Sequence, residues 1–128
     1  MPFCCPDCLS TDGLEIDAAI QLPPDSRSDE IFIQLGRCRQ CGFQGAAVYE
    51  ESRRGALDQD DWSHTGYCLE LEVCRRWEGL IRSCPDPFNW RCRCQAHLAF
   101  NAVDAWGRWQ LPPELARCAT FPMQMQAD

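Results

Sequence analysis

The sequence predicts an α+β protein, in which an N-terminal three-stranded antiparallel unit packs with one amphipathic helix and a C-terminal β-hairpin. Two periodicities and two proline breaks carry this expectation. Leu14, Ile16, Ala18, Ile20 and Leu22 alternate with mostly polar residues, the period of a half-buried strand. Leu69, Val73, Trp77, Leu80 and Ile81 recur at helical spacing and predict an amphipathic helix over about 67–82. Pro23-Pro24-Asp25-Ser26 and Cys84-Pro85-Asp86-Pro87 end these two elements, because proline removes a backbone donor and cannot continue a helix.

The other elements follow in order. Glu30–Arg37 reads as a second strand, with Ile31, Ile33 and Leu35 on one face, and Gly45–Glu51 as a third. Residues 52–66 (SRRGALDQDDWSHTG) are polar, show little pattern and read as a connector. His97–Val103 and Arg108–Leu111, joined by Asp104-Ala105-Trp106-Gly107, read as the hairpin. Pro112-Pro113 introduces at most a short helix through Cys118, and the last six residues are expected to fray. The chain thus divides into residues 1–51, the connector 52–66, and a helix-plus-hairpin region 67–128.

Composition excludes several classes of function. The net charge is -7, and all 12 basic residues are arginine. The absence of lysine excludes a Schiff-base or P-loop lysine, and surplus acid opposes non-specific binding to a phosphate backbone. The acid is concentrated: residues 1–66 hold 12 acids and 5 arginines, whereas residues 67–128 hold 7 of each. No apolar run reaches the roughly 20 residues of a membrane span, and no charged, then apolar leader opens the sequence, so the cytoplasm is the expected compartment. Eleven cysteines in 128 residues, odd in number and recurring as CxxC, favour metal binding over a disulfide framework in a reducing compartment.

Cys5-Pro6-Asp7-Cys8 and Cys38-Arg39-Gln40-Cys41-Gly42 form a C-x2-C-x29-C-x2-C pattern. Two residues between cysteines make a tight knuckle that aims both sulfurs at one ion, and two knuckles complete a tetrahedral S4 set for Zn²⁺. Gly42 can take the positive φ that lets the chain leave the second knuckle. Cys4 is an alternative to Cys5, though C-x3-C suits the knuckle less well. Over residues 4–51 the chain resembles the zinc-ribbon group, through CPDC, the strand pattern and CRQCG; the resemblance implies a structural zinc and a ribbon fold, and leaves function open. Rubredoxins have similar knuckles and hold iron, but with glycine where Leu9 follows Cys8, which favours zinc. The transcript-cleavage zinc ribbons carry an acidic pair ahead of the second knuckle. Asp29-Glu30, eight residues before Cys38, is similar in type and place, although the loop here is longer and the C-terminal part has no counterpart.

A second set, Cys84, Cys92, Cys94 and His97, has the spacing C-x7-C-x-C-x2-H in a stretch rich in proline and aromatics. Three thiols and an imidazole suit a second structural zinc, and Cys74 could replace His97. Four ligands leave no open position for hydrolytic chemistry. Cys68, Cys74 and Cys118 read as small buried hydrophobes, and His64 as a solvated connector residue. The five tryptophans mark core, with one or two available to anchor a partner.

Three functions compete. The favoured one is a non-enzymatic zinc-binding adaptor or accessory subunit acting through a protein partner. The second is nucleic-acid binding, because Arg75, Arg76, Arg82, Arg91 and Arg93 outnumber Glu78 and Asp86 over residues 75–93, with Trp77 and Trp90 interleaved. The third is a thiol-redox protein or Cys/His enzyme built on Cys94 and His97; no HExxH, nucleophile elbow or glycine-rich phosphate loop supports another chemistry.

Overall fold

A computed structural model of the chain describes residues 2–53 and 61–125. Its centre is a five-stranded antiparallel sheet in the order β1-β2-β3-β4-β5. The strands are β1 (Leu14–Leu22), β2 (Glu30–Cys38), β3 (Gln44–Ser52), β4 (Asp61–Tyr67) and β5 (Thr120–Pro122). Three short helices accompany it: α1 (Leu71–Arg82), α2 (Gln95–Phe100) and α3 (Pro113–Ala116).

The α+β class stands, but the expected architecture of three strands, one helix and a C-terminal hairpin does not. Residues 61–66, expected to be connector, belong to a fourth strand that pairs with β3 from Ala46↔Tyr67 to Ser52↔Asp61; residues 54–60 lie outside those described. The expected first hairpin strand is largely α2, and only the single bridge Val103↔Trp109 remains of the hairpin. The first helix starts at Leu71, four residues later than expected. Of the last six residues, expected to fray, Gln124 accepts Cys4 N–H on its carbonyl at 2.7 Å, and residues 126–128 lie outside those described.

The expected alternation holds along β2 and from Ala18 to Leu22 in β1, but a register shift between Ile16 and Ala18 sends Leu14 and Ile16 into a separate, smaller core. Ile20, Leu22, Ile31, Ile33 and Leu35 point to one face, where they meet Ala46 and Val48 of β3. Trp77 and Ile81 of α1, Phe100 of α2, Trp109 and Leu115 cover them. Trp77 and Phe100 meet edge to face at 5.1 Å, a favourable aromatic geometry. The opposite face carries an aromatic row that runs across the strands. Phe32 neighbours Tyr49, and Tyr49 stacks edge-on against His64 at 5.4 Å. His64 in turn meets Phe3 at 5.3 Å and pairs its Nε2 with Gln34 Oε1 at 2.6 Å. It is therefore a packed half-buried residue, not a solvated one, and burial lowers its pKa. A smaller core beneath the first cysteine set contains Phe3, Cys5, Leu14 and Cys38, with Phe43, Phe121 and Met123 against it.

Asp25, in the β1–β2 loop, holds distant segments together. One carboxylate oxygen accepts the Arg27 and Ser28 N–H groups, and the other accepts Trp109 N–H at 2.7 Å. Burial alone would raise its pKa, but the N–H groups of Trp109, Ser28 and Arg27 outweigh that and hold it below the ordinary value.

Glycines separate tight from roomy sites. A Cβ on Gly66 would lie 2.3 Å from a Phe121 ring carbon, whereas one on Gly79, in α1, would meet nothing within 4 Å. Gly66→Ala is expected to cost about 1–3 kcal/mol as the β4–β5 contact is pushed apart. Gly79→Ala should stabilise by about 0.5–1 kcal/mol through helix propensity. Urea unfolding of both variants checks this pair of opposite signs.

Candidate metal centres

The β1–β2–β3 meander places both knuckles at one end of the sheet. Cys5 and Cys8 lie in the turn before β1; Cys38 ends β2, and Cys41 lies in the turn before β3. All four sulfurs fall within 4.8 Å of one another. Cys5 Sγ is 3.6 Å from Cys41 Sγ, and Cys8 Sγ is 3.7 Å from Cys38 Sγ. Four sulfurs at about 2.3 Å from an ion are held about 3.8 Å apart along a tetrahedral edge, whereas a disulfide needs about 2.05 Å. The spacing therefore fits a metal shell and is too long for a disulfide. Asp7 N–H points at Cys5 Sγ (3.4 Å) and Gln40 N–H at Cys38 Sγ (3.3 Å), each stabilising a thiolate. Burial pushes the Cys38 thiol up, but the Cys41 and Gln40 N–H groups and the sulfurs of Cys5 and Cys8 more than reverse this and hold it at about 7. The Cys5 thiol is raised, chiefly by burial.

The knuckle backbones are specific. Gly42 takes φ 81°, as the sequence suggests, and its N–H donates to Cys38 O. Leu9 also takes a left-handed backbone, φ 65°, although it is not glycine and its side chain is 77% exposed. Leu9 thus fills the conformation that glycine would supply, so its identity no longer separates zinc from iron. Gly13 packs against the site, and a Cβ there would lie 2.8 Å from Cys38 Sγ.

The second set comes from the helical side. Cys84 follows the C-cap of α1, Cys92 lies in the next turn, Cys94 is the N-cap of α2, and His97 lies in that helix. Their ligand atoms also fall within 4.8 Å of one another. Cys84 Sγ is 3.8 Å from Cys92 Sγ, and His97 Nδ1 is 3.4 Å from Cys84 Sγ and 3.2 Å from Cys94 Sγ. His97 is buried, and its Nε2 lies 3.0 Å from Gln21 O. A carbonyl only accepts, so Nε2 carries the proton and Nδ1 turns its lone pair toward the three sulfurs. Burial raises the Cys94 thiol, but the His97 N–H, the His97 ring and the sulfurs of Cys84 and Cys92 bring it down to about 6. Burial drives Cys84 up to about 12. The two fields leave one sulfur readily ionised and another strongly protonated, and a divalent ion would displace that proton.

Both four-residue sets anticipated from the sequence are thus brought together, Cys5, Cys8, Cys38 and Cys41 in one and Cys84, Cys92, Cys94 and His97 in the other, and each could hold a metal ion. Cys4 points away from the first, toward Thr11 O. Cys74 stays in the core and is raised to about 11, mainly by burial. Cys68, expected to be buried, is exposed. Trp77 and Trp109 are core, whereas Trp62 and Trp106 are 67% and 80% exposed. Arg53 engages both members of the acidic pair: Asp29 Oδ2 accepts Arg53 N–H, and Glu30 pairs with the Arg53 guanidinium at 3.2 Å. Sequence reasoning missed Gln21, whose contribution is a backbone carbonyl and has no side-chain signature. No protein-family model, curated protein or solved structure matches the chain.

Leu9→Gly should relieve the left-handed strain and stabilise the chain by about 1 kcal/mol. Thermal unfolding with metal content held constant checks this, and Leu9→Ala, which keeps a Cβ, should not reproduce the gain.

Proposed function

We propose that this chain is a non-enzymatic zinc-binding adaptor or accessory subunit, in which two structural Zn²⁺ ions hold a sheet and a helical layer in one arrangement for a protein partner. The observation that carries this reading is the closed geometry of both sets: four converging ligands each, at tetrahedral-edge separations. Neither leaves a position for substrate. Cys3His chemistry favours zinc in the second site, and zinc in the first follows from the zinc-ribbon resemblance of its knuckles. Thiolate sites of this kind suit a reducing, cytoplasmic setting. No described helix is long and apolar enough to cross a membrane.

One observation favours a second reading. Cys94 has a depressed thiol pKa and lies 3.2 Å from His97 Nδ1, the arrangement of an activated Cys/His nucleophile. Against it, Cys84 Sγ lies at nearly the same distance from that nitrogen. A lone pair shared among three sulfurs suits an ion better than a proton relay.

Protein purified without added metal is expected to contain two zinc ions per chain by elemental analysis, and Cys94 to resist iodoacetamide until a strong chelator is added. Cys38→Ser should remove one ion and unfold the N-terminal part, since zinc binding contributes on the order of 10 kcal/mol in small zinc domains. Metal-free, folded protein whose Cys94 alkylates at once would replace the adaptor reading with the nucleophile reading.

A further inference from the structure

Against the second ligand set, the loop that carries Cys92 and Cys94 builds a charged groove. Trp90, Arg91 and Arg93 line it from that loop, Leu98 and Asn101 from α2 and its C-cap, and Pro23 from just beyond β1; the groove measures about 330 Å³, with Cys92 and His97 of the second ligand set also in its lining. Its lining contains two arginines and no acid. The ion pairs of the described residues use Arg27, Arg37, Arg39, Arg53, Arg76 and Arg82, and neither Arg91 nor Arg93 takes part in one. In a chain of net charge -7, two guanidinium groups in one groove without an ion pair are a local reversal of sign. The Arg91 guanidinium lies 4.9 Å over the Trp90 ring, which holds it in place by a cation–π contact. Leu98 is 65% exposed beside them, and the Asn101 carboxamide has no intramolecular partner among the described residues.

We propose that this groove binds a short acidic protein segment in which an aliphatic side chain is flanked by carboxylates. This rests on the adaptor reading and names the chemistry of its partner. The guanidinium groups would take the carboxylates through charge-assisted, two-point hydrogen bonds. Leu98 and Pro23 give the aliphatic group an apolar floor, and Asn101 offers both a donor and an acceptor to a peptide backbone. Arg91 and Arg93 alternate with Cys92 and Cys94, so an ion at the second site would fix their spacing before binding and reduce the ordering cost. Nucleic acid fits less well. Two arginines neutralise about two phosphates, too few to overcome the acidity of the chain, and the face of Trp90 under Arg91 is closed to a stacking base.

The test pans a displayed library of random short peptides against the full-length, metal-loaded chain. The best synthetic peptide is then titrated by fluorescence anisotropy against wild type, Arg91→Glu/Arg93→Glu and the milder Arg91→Gln/Arg93→Gln, with oligo(dT) as competitor and metal content measured for each protein. The expected result is enrichment of peptides with an aliphatic residue among two or more Asp or Glu. Affinity should fall about tenfold or more in both double variants at unchanged metal content, and also when the peptide acids become amides. No acidic enrichment, equal affinity in the glutamine variant, or tighter binding of oligo(dT) than of peptide overturns the proposal. A failure with two ions bound defeats this inference alone, whereas a chain without ions defeats the metal reading beneath it.

Discussion

The exposed edge of β1 is the constraint on which the arrangement depends. A nine-residue strand paired on one side only leaves backbone donors and acceptors that invite pairing with another chain. Both ends of this edge are closed by the loops that carry the thiols. At one end Phe3 exchanges hydrogen bonds with Leu14 (2.6 and 3.0 Å), just before the Cys5–Cys8 knuckle. At the other, Gln21 N–H donates to Pro87 O at 2.8 Å, and Gln21 O accepts from His97 Nε2. The hydrogen bond from His97 therefore does two things at once. It satisfies the strand edge, and it fixes the tautomer that turns Nδ1 toward Cys84, Cys92 and Cys94.

That coupling explains why the cysteines are distributed as they are. The first set lies where three consecutive strands meet, and half of it, Cys5 and Cys38, is packed into the smaller core while Cys8 and Cys41 face solvent. The second lies where α1 ends, α2 begins and β1 passes beneath. It joins the helical layer to the sheet at a place where the local sequence, Pro85 to Arg93, has few aliphatic residues with which to build a core. In both sets the backbone N–H groups of the knuckle or N-cap point at sulfur, so each site is electrostatically prepared for thiolate.

Much of this was legible in the sequence because the signals were local. The alternation of Leu14 to Leu22 and of Ile31 to Leu35 placed β1 and β2, and CxxC spacing selected the first ligand set. The fourth strand was not legible. Asp61–Tyr67 contains no aliphatic residue, and it is held by pairing with β3, by the packing of Gly66 under Phe121 and by His64 between Phe3 and Tyr49, all of them contacts distant in sequence. The α2 helix was missed for a different reason. Its N-cap is Cys94, whose sulfur accepts His97 N–H, a role that sequence patterns assign to serine, threonine, aspartate or asparagine. The four side chains come together as the spacing suggested, but on a backbone that is helical and not extended.

Two closed, sulfur-rich zinc sites are proposed to hold this fold together. X-ray absorption at the zinc edge on protein purified without added metal tests this most directly, because it reads ligand type and distance together. Four-coordinate zinc is expected, with seven sulfurs to one nitrogen over the two sites and zinc–sulfur distances of about 2.3 Å. A shell dominated by nitrogen and oxygen, or the absence of bound zinc in folded protein, would contradict it.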